Sequence, residues 1–123
     1  MVGENSIYVD VNNNLTIPGP ESPFKLLHHC IDYLNSTHIV MVGSYFANER
    51  TAFIDLSNNL WTDGPNITRS RTYPACATVT HPNGTRYFII AGGATSGATQ
   101  KETEILSEDN PDSWMIGNEL IML

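Results

Sequence analysis

An internal repeat constrains the fold of this 123-residue chain more than any other feature. Residues 8–20 align without a gap on residues 53–65, and an Asp, two Asn, a Leu, a Gly and a Pro are identical. A weaker match sets residues 30–43 against residues 76–92, and two tryptophans are separated by 53 positions. The repeating unit is therefore about 45 to 53 residues long, which is typical of four-stranded units that stack on one another.

Each unit predicts short strands joined by turns, and no stretch has the apolar spacing of an amphipathic helix. In the middle unit we expect strands near 28–33, 38–43, 51–56 and 60–63. In the third unit we expect them at 74–80, 86–92, 102–106 and weakly from residue 114, whereas the first unit has only 7–11 and 15–17. The run 39–42 is apolar without alternation, which predicts burial on both faces. The sequence therefore predicts an all-β fold.

The glycine and tryptophan positions of these units resemble those of the Kelch repeat, and the resemblance covers nearly the whole chain. In that family an apolar second strand ends in a double glycine, which is present here as Gly92 and Gly93. The middle unit retains the first glycine, Gly43, with Ser44 in the second place. In the family a tryptophan follows the third strand. Trp61 and Trp114 match that position in the second and third units, and Thr16 takes its place in the first.

The resemblance implies a Kelch-type β-propeller of which this chain forms about two and a half four-stranded antiparallel blades. Residues 1–20 would be a partial blade with third and fourth strands, and residues 21–66 and 67–123 would be two further blades. Because the smallest propellers have about four blades, we expect that this chain alone does not close the ring. Further blades or self-association would then cover the exposed sheet faces. The glycines after the second strands would adopt positive φ, and each tryptophan would cover a blade edge.

Four Asn-x-Thr sequons lie in or beside predicted turns, where a glycan could be accommodated. They predict N-glycosylation and an extracellular, secreted protein. The alternative is that turns favour Asn and Thr for their own hydrogen bonds, in which case the protein would be cytoplasmic. The polar first residues contain no secretory signal peptide, which keeps that alternative open. The candidate asparagines are Asn14, Asn35, Asn66 and Asn83.

The cysteines and histidines predict neither a disulfide nor a metal site. Cys30 and Cys76 are expected at equivalent positions on the first strands of neighbouring blades, farther apart than the ~7 Å between Cα atoms that a disulfide allows. We therefore expect buried free thiols. His28 and Cys30 share a strand face without further ligands at metal spacing, and the glycine-rich residues 92–99 lack the lysine of a phosphate loop. No cofactor and no catalytic residue is predicted.

The charge distribution indicates the kind of partner. A net charge of -7 disfavours nucleic acid, and no apolar run is long enough to cross a membrane. Most basic residues nevertheless fall in the predicted loops between blades and after second strands, where a basic and aromatic patch suits an acidic peptide or a glycan. The candidate partner-binding residues are Arg50, Arg69, Arg71, Tyr73, Tyr45 and Lys101.

These features predict a non-enzymatic protein-interaction module, a Kelch-like propeller segment that presents its loops to a protein or glycan ligand. The alternative is part of a secreted carbohydrate-active propeller similar to galactose oxidase, which would bind a glycan or oxidise it at a copper site. That alternative requires Tyr, His and Cys ligands that converge near the propeller axis. The sequence contains no recognisable set of such ligands.

Overall fold

The structure, a computed structural model, describes residues 7–22, 29–43, 49–95 and 98–119. Within these ranges the chain forms twelve β-strands and no helix, so the all-β prediction is confirmed and no helix long and apolar enough to span a membrane is present there. The strands are β1 (Ile7–Asp10), β2 (Leu15–Pro18), β3 (Cys30–Tyr33), β4 (His38–Val42), β5 (Thr51–Asp55), β6 (Leu60–Asp63), β7 (Ala75–Thr80), β8 (Arg86–Ala91), β9 (Ala94–Thr95), β10 (Ala98–Thr99), β11 (Glu102–Ser107) and β12 (Asn110–Glu119).

The strands form two four-stranded antiparallel sheets and two hairpins. We name β3-β4-β5-β6 the middle sheet, β7-β8-β11-β12 the last sheet, and β1-β2 the first hairpin. The short hairpin β9-β10 lies in the connection between β8 and β11 and was not expected from the sequence. The last strand, β12, begins at Asn110, four residues before the predicted start, because residues 108–109 already form the turn that precedes it.

The first hairpin and the β5-β6 hairpin have the same register, pair for pair. Tyr8 faces Ile17 in one, and Phe53 faces Thr62 at the matching positions of the other. Both turns contain an asparagine with positive φ at the same place, 53° and 59°. Asparagine tolerates this left-handed conformation better than most residues. The identical residues of the sequence repeat therefore specify the same turn geometry in both hairpins.

The apolar core lies between the middle and last sheets. Val40 and Val42 of β4 pack in one cluster with Phe88 and Ile90 of β8, and all four side chains are fully buried. The opposite face of β4 is also buried, through Met41 and its neighbours Ile39 and Ala52. The expectation that the second strand of the middle unit is buried on both faces is confirmed.

Glycines end the second strand of each sheet, as expected. Gly43 and Gly92 follow β4 and β8 directly, with φ values of 65° and 66°. Gly93 has φ 79°, and a Cβ atom there would lie 2.9 Å from the carbonyl oxygen of Thr72. The second glycine is therefore required for a close approach of two backbone segments.

The prediction of free thiols is wrong, because Cys30 and Cys76 form a disulfide with a Cα–Cα distance of 6.1 Å. Cys30 is paired with Val42, on the face of β3 and β4 that contacts the last sheet. Cys76 is paired with Ile90, on the face of β7 and β8 that contacts the middle sheet. When the strands are counted back from the glycines, Cys76 matches Ile31 and not Cys30. This one-residue difference in register turns the two thiols toward each other.

Each tryptophan of the repeat donates a hydrogen bond to the proline that ends the preceding unit. Trp61 Nε1 donates to the carbonyl oxygen of Pro20 at 3.3 Å, and Trp114 Nε1 donates to that of Pro65 at 3.0 Å. Pro20 and Pro65 are themselves matching positions of the sequence repeat. The first hairpin is thus joined to the middle sheet by the same contact that joins the middle sheet to the last.

Candidate functional site

The connections between strands fall on two opposite edges of the sheets. The strands β3 and β7 run in the same direction, because Cys30 meets Cys76 and, two residues further along both strands, the Asp32 carboxylate accepts the backbone N–H of Thr78 at 3.3 Å. One edge, which we call the turn edge, consists of the turns at residues 11–14, 34–37, 56–59, 81–85 and 108–109. Residues 49–50, 64–74, 92–95 and 98–101, together with Gly43, form the loop edge, which holds the candidates Arg50, Arg69, Arg71, Tyr73 and Lys101.

Arg71 is not a surface residue, and this corrects the sequence prediction. Its side chain is fully buried and forms an ion pair with Glu104, which is equally buried, at 3.1 Å. The guanidinium also donates to the carbonyl oxygens of Gly92 and Glu102 at 2.8 and 2.6 Å. A buried arginine requires such partners because an unpaired buried charge is very costly. Arg71 therefore fixes the loop edge from inside and is unavailable to a ligand.

The carboxylate of Glu104 also holds the connection between the two large sheets. Its Oε1 accepts hydrogen bonds from the backbone N–H and the hydroxyl of Thr68, at 2.6 and 2.8 Å. Glu104 and Leu106 are two residues apart on β11, so their side chains lie on the same face, and both are buried. This spacing was the signal in the sequence for a buried charge, and it was missed. Glu104 thus anchors the connection at both Thr68 and Arg71, although Thr68 and Arg69 themselves are exposed.

Two more of the candidate arginines lie on the surface in ion pairs. Arg50 binds Asp63 at 2.6 Å, and Arg69 binds Glu102. Their charges are locally neutralised, so the predicted patch is less basic than the sequence suggested. Lys101 is exposed on the same edge. Tyr45 lies outside the described residues.

Tyr73 is the most distinctive candidate on the loop edge. Its side chain is 66% exposed, and its φ is 59°, a conformation that is unfavourable for a bulky residue. The backbone on both sides is held: Thr72 exchanges two hydrogen bonds with Ala94, and Arg71 is anchored in the core. Strained residues that the surroundings enforce are frequent at binding sites. The structure thus presents an exposed aromatic ring on a rigid support.

A cleft of about 380 Å³ opens between the outer parts of the two large sheets. The Phe53 ring forms part of the wall of this cleft. It lies so close to Gly64 that a Cβ atom added to Gly64 would be 2.5 Å from the ring. Asp63 and Glu108 also line it, but Asp63 is paired with Arg50, and Glu108 accepts the backbone N–H of Arg86 at 2.8 Å. These carboxylates already serve the protein's own contacts.

The candidate glycosylation sites are divided between the two edges. Asn14, Asn35 and Asn83 lie on the turn edge, and Asn66 lies on the loop edge. Asn14, Asn66 and Asn83 are exposed, and Asn35 is half-buried. The four sequons therefore do not form one equivalent set in space.

Two carboxyl groups of the turn edge have lowered pKa values. Hydrogen bonds from Asn13 hold the pKa of Asp10 below its ordinary value, and hydrogen bonds from Ser57 do the same for Asp55. The two turns match in the repeat, but the main donors stand at different positions: Asn13 is three residues after Asp10, and Ser57 is two residues after Asp55. Nearby, burial raises the pKa of Tyr8, with a smaller contribution from Tyr33. The lowered pKa values of Asp10 and Asp55 are thus explained by hydrogen bonds within their own turns.

Metal-binding side chains do not cluster in the part of the chain that the structure describes. No group of three or more His, Cys, Asp or Glu residues there could hold a metal ion. Comparison with known proteins found no matching family model and no matching curated protein. The resemblance to the Kelch repeat therefore rests on the residues quoted above.

Proposed function

We propose that this chain is a segment of a Kelch-like β-propeller and acts as a non-enzymatic interaction module with its loop edge as the binding surface. The observation that carries the proposal is the recurring contact between each tryptophan and the proline of the preceding unit, Trp61 with Pro20 and Trp114 with Pro65. A contact that recurs from unit to unit is what a repeat architecture requires. The blades would be residues 1–20, 21–66 and 67–123.

The spacing of the two large sheets supports a radial arrangement. Their first strands are close enough for a disulfide, with 6.1 Å between the Cα atoms of Cys30 and Cys76. A cleft of about 380 Å³ opens between the sheets beside Phe53, and Trp114 of the last sheet bridges to Thr51 and Pro65 of the middle unit. Two separate antiparallel sheets whose first strands lie side by side and run in the same direction would suit neighbouring blades around an axis.

The loop edge supports binding through Tyr73 and Lys101. An exposed aromatic ring on a rigid support loses little conformational entropy when it binds, which favours protein or glycan ligands. Arg50 and Arg69 would take part only by exchanging their present carboxylate partners for those of a ligand. Arg71 contributes by holding Tyr73 in place.

An extracellular location agrees with two independent features. The disulfide Cys30–Cys76 indicates an oxidising environment. Four sequons occur in 123 residues, and three of them are on exposed asparagines. Neither feature is expected of a cytoplasmic adaptor.

A crosslinking experiment tests the binding surface. A photo-reactive phenylalanine derivative would replace Tyr73 on the loop edge in one variant and Tyr33, an exposed tyrosine of β3, in a matched control. Cells that display or encounter the secreted protein should yield a discrete crosslinked species from position 73 and none from position 33. Equal crosslinking from both positions, or none from position 73, would contradict the proposal.

A further inference from the structure

We infer that Asn35 and Asn83, on the turn edge, carry N-linked glycans, and that Asn66, on the loop edge, does not. This inference rests on the proposed extracellular location and adds which edge the sugar occupies. The three asparagines belong to the same Asn-x-Thr class of sequon but have different hydrogen-bond partners and different places in the fold.

Asn35 and Asn83 share one local geometry. The backbone N–H of the threonine two residues later donates to the side-chain Oδ1 at 2.9 Å in both cases, from Thr37 and from Thr85. Asn35 Oδ1 also accepts the Thr37 hydroxyl and the His38 backbone N–H, each at 2.9 Å. All these bonds end on Oδ1, so none of them uses the amide nitrogen that a sugar would occupy.

The hydrogen bonds that Oδ1 accepts in these turns are local. They join residues two or three positions apart, so this part of each turn can form in a short nascent segment. In the folded protein the Thr85 hydroxyl also donates to the Asp109 carboxylate at 3.0 Å. Each turn closes a hairpin whose last pairs are Tyr33 with Ile39 and Thr80 with Arg86. The same asparagine turn therefore joins the first and second strands in both the middle and the last sheet.

The sequon of Asn66 is used differently. The threonine of this sequon, Thr68, gives both its backbone N–H and its hydroxyl to Glu104, which lies 36 positions later in the chain. The middle residue, Ile67, is 3% exposed and belongs to the apolar core. The segment therefore packs between the sheets, and its sequon threonine is held by a residue distant in the chain.

The chemistry favours the turn geometry. In N-glycosylation the asparagine Nδ2 forms a bond to the anomeric carbon of a lipid-linked oligosaccharide diphosphate, the carbon–oxygen bond to the diphosphate breaks, and Nδ2 loses one proton. Hydrogen bonds donated to Oδ1 draw electron density from the amide and make that proton easier to lose. Asn35 receives three such bonds and Asn83 one.

The arrangement has a consequence for binding. Glycans on the turn edge would cover the end of the sheets opposite Tyr73 and Lys101. Sugar at Asn66 would lie in the loop that holds Arg69 and Tyr73. A chain glycosylated at Asn35 and Asn83 alone therefore keeps its proposed binding surface open.

Site mapping on the full chain, expressed with a secretion signal in a eukaryotic host, tests the inference. An amide-cleaving glycosidase converts each glycosylated Asn to Asp, and peptide mass analysis should find Asp at positions 35 and 83 and unchanged Asn at position 66. Asn35→Gln and Asn83→Gln should each remove one glycan step from the electrophoretic mobility. The matched control Asn66→Gln should leave the mobility unchanged.

Two results would overturn the inference. One is conversion of Asn66 to the same extent as Asn35 and Asn83, and the other is a secreted, disulfide-bonded chain without sugar at Asn35 and Asn83. Either result leaves the crosslinking test at Tyr73 unaffected. Conversely, failure of that crosslinking test would remove the proposed binding surface and leave the glycan map standing.

Discussion

The middle and last sheets have the same strand order but differ in how many of their faces are covered. In β4 the four residues from Ile39 to Val42 are all buried: Val40 and Val42 pack against the last sheet, and Met41 on the opposite face packs with Ala52 and Trp61. In β8 the equally apolar residues alternate: Phe88 and Ile90 are buried, whereas Ile89 is only partly so. Both strands thus have sequences suited to burial on both faces, but among the described residues nothing covers the face of β8 that carries Ile89.

The last sheet also has attachments of a different kind. The disulfide joins its first strand to the middle sheet, and the buried ion pair of Arg71 and Glu104 fixes the connection that leads into it. Trp114 joins its outer strand to Pro65. These contacts act together with the one apolar face of the last sheet that is buried, through Phe88, Ile90 and Leu106.

The largest expected effect is the loss of the buried ion pair. Arg71→Met leaves the Glu104 carboxylate buried without its charged partner, which should lower the free energy of unfolding by about 3–5 kcal/mol. Arg69→Met removes an arginine from an exposed pair on the same loop and should cost about 0–1 kcal/mol. Urea denaturation of both variants measures the difference. Equal losses would show that Glu104 does not depend on Arg71.

A second pair of variants tests the covered and open faces directly. Met41→Ala, on the doubly covered β4, should destabilise the protein by about 2–5 kcal/mol because it leaves a cavity. Ile89→Ala, on the open face of β8, should cost about 1 kcal/mol because part of that side chain already contacts water. Thermal unfolding of the two variants gives the comparison. A cost at Ile89 as large as that at Met41 would mean that another surface covers the last sheet.

The disulfide should have a comparable but smaller effect. Replacing Cys30 and Cys76 with serine together removes the cross-link from the unfolded chain and should cost about 2–4 kcal/mol. Thiol labelling of the unreduced, denatured wild-type chain should find no free cysteine. Two labelled cysteines in protein from an oxidising compartment would refute the pairing and restore the expectation of free thiols.

The smallest effect concerns the matching turns of the first hairpin and the middle sheet. Because the pKa values of Asp10 and Asp55 are lower in the folded state, these carboxylates contribute stability above the ordinary pKa of 3.8 that is lost as pH falls through their folded values. Ser57→Ala removes the hydroxyl donor to Asp55, which is the largest cause of its lowered pKa, and keeps the backbone donor, so the pKa of Asp55 should rise part of the way toward 3.8. In the same NMR titration the pKa of Asp10 should not change. If the pKa values of Asp10 and Asp55 both shifted, the two turns would not be independent of each other.

Local features of the sequence were good predictors. The boundaries of β6, Leu60–Asp63, match the prediction, because the Asn-containing turn before it and the β-favouring residues within it act over a few positions. Positive φ at Gly43 and Gly92 also followed from the sequence alone. Burial of both faces of β4 was predictable because an unbroken apolar run has no polar face to expose.

Features that depend on two distant segments were missed. The disulfide was excluded because Cys30 and Cys76 were aligned as equivalent, and one residue of register reverses the face of a strand. Arg71 was assigned to a surface patch because its partner Glu104 lies 33 positions away. The hairpin β9-β10 has two residues in each strand, too few for a pattern to show.

By itself the sequence determined the all-β class, the repeating unit and the turns, because strand alternation, glycine conformation and Asx hydrogen bonds are properties of neighbouring residues. Only the tertiary structure decided which side chains meet across the sheets: Cys30 with Cys76, Arg71 with Glu104, and Trp114 with Pro65. Such contacts depend on the register and packing of whole strands. That is why Tyr73 and Lys101 proved to be exposed on the loop edge while Arg71, two residues before Tyr73, proved to be part of the core.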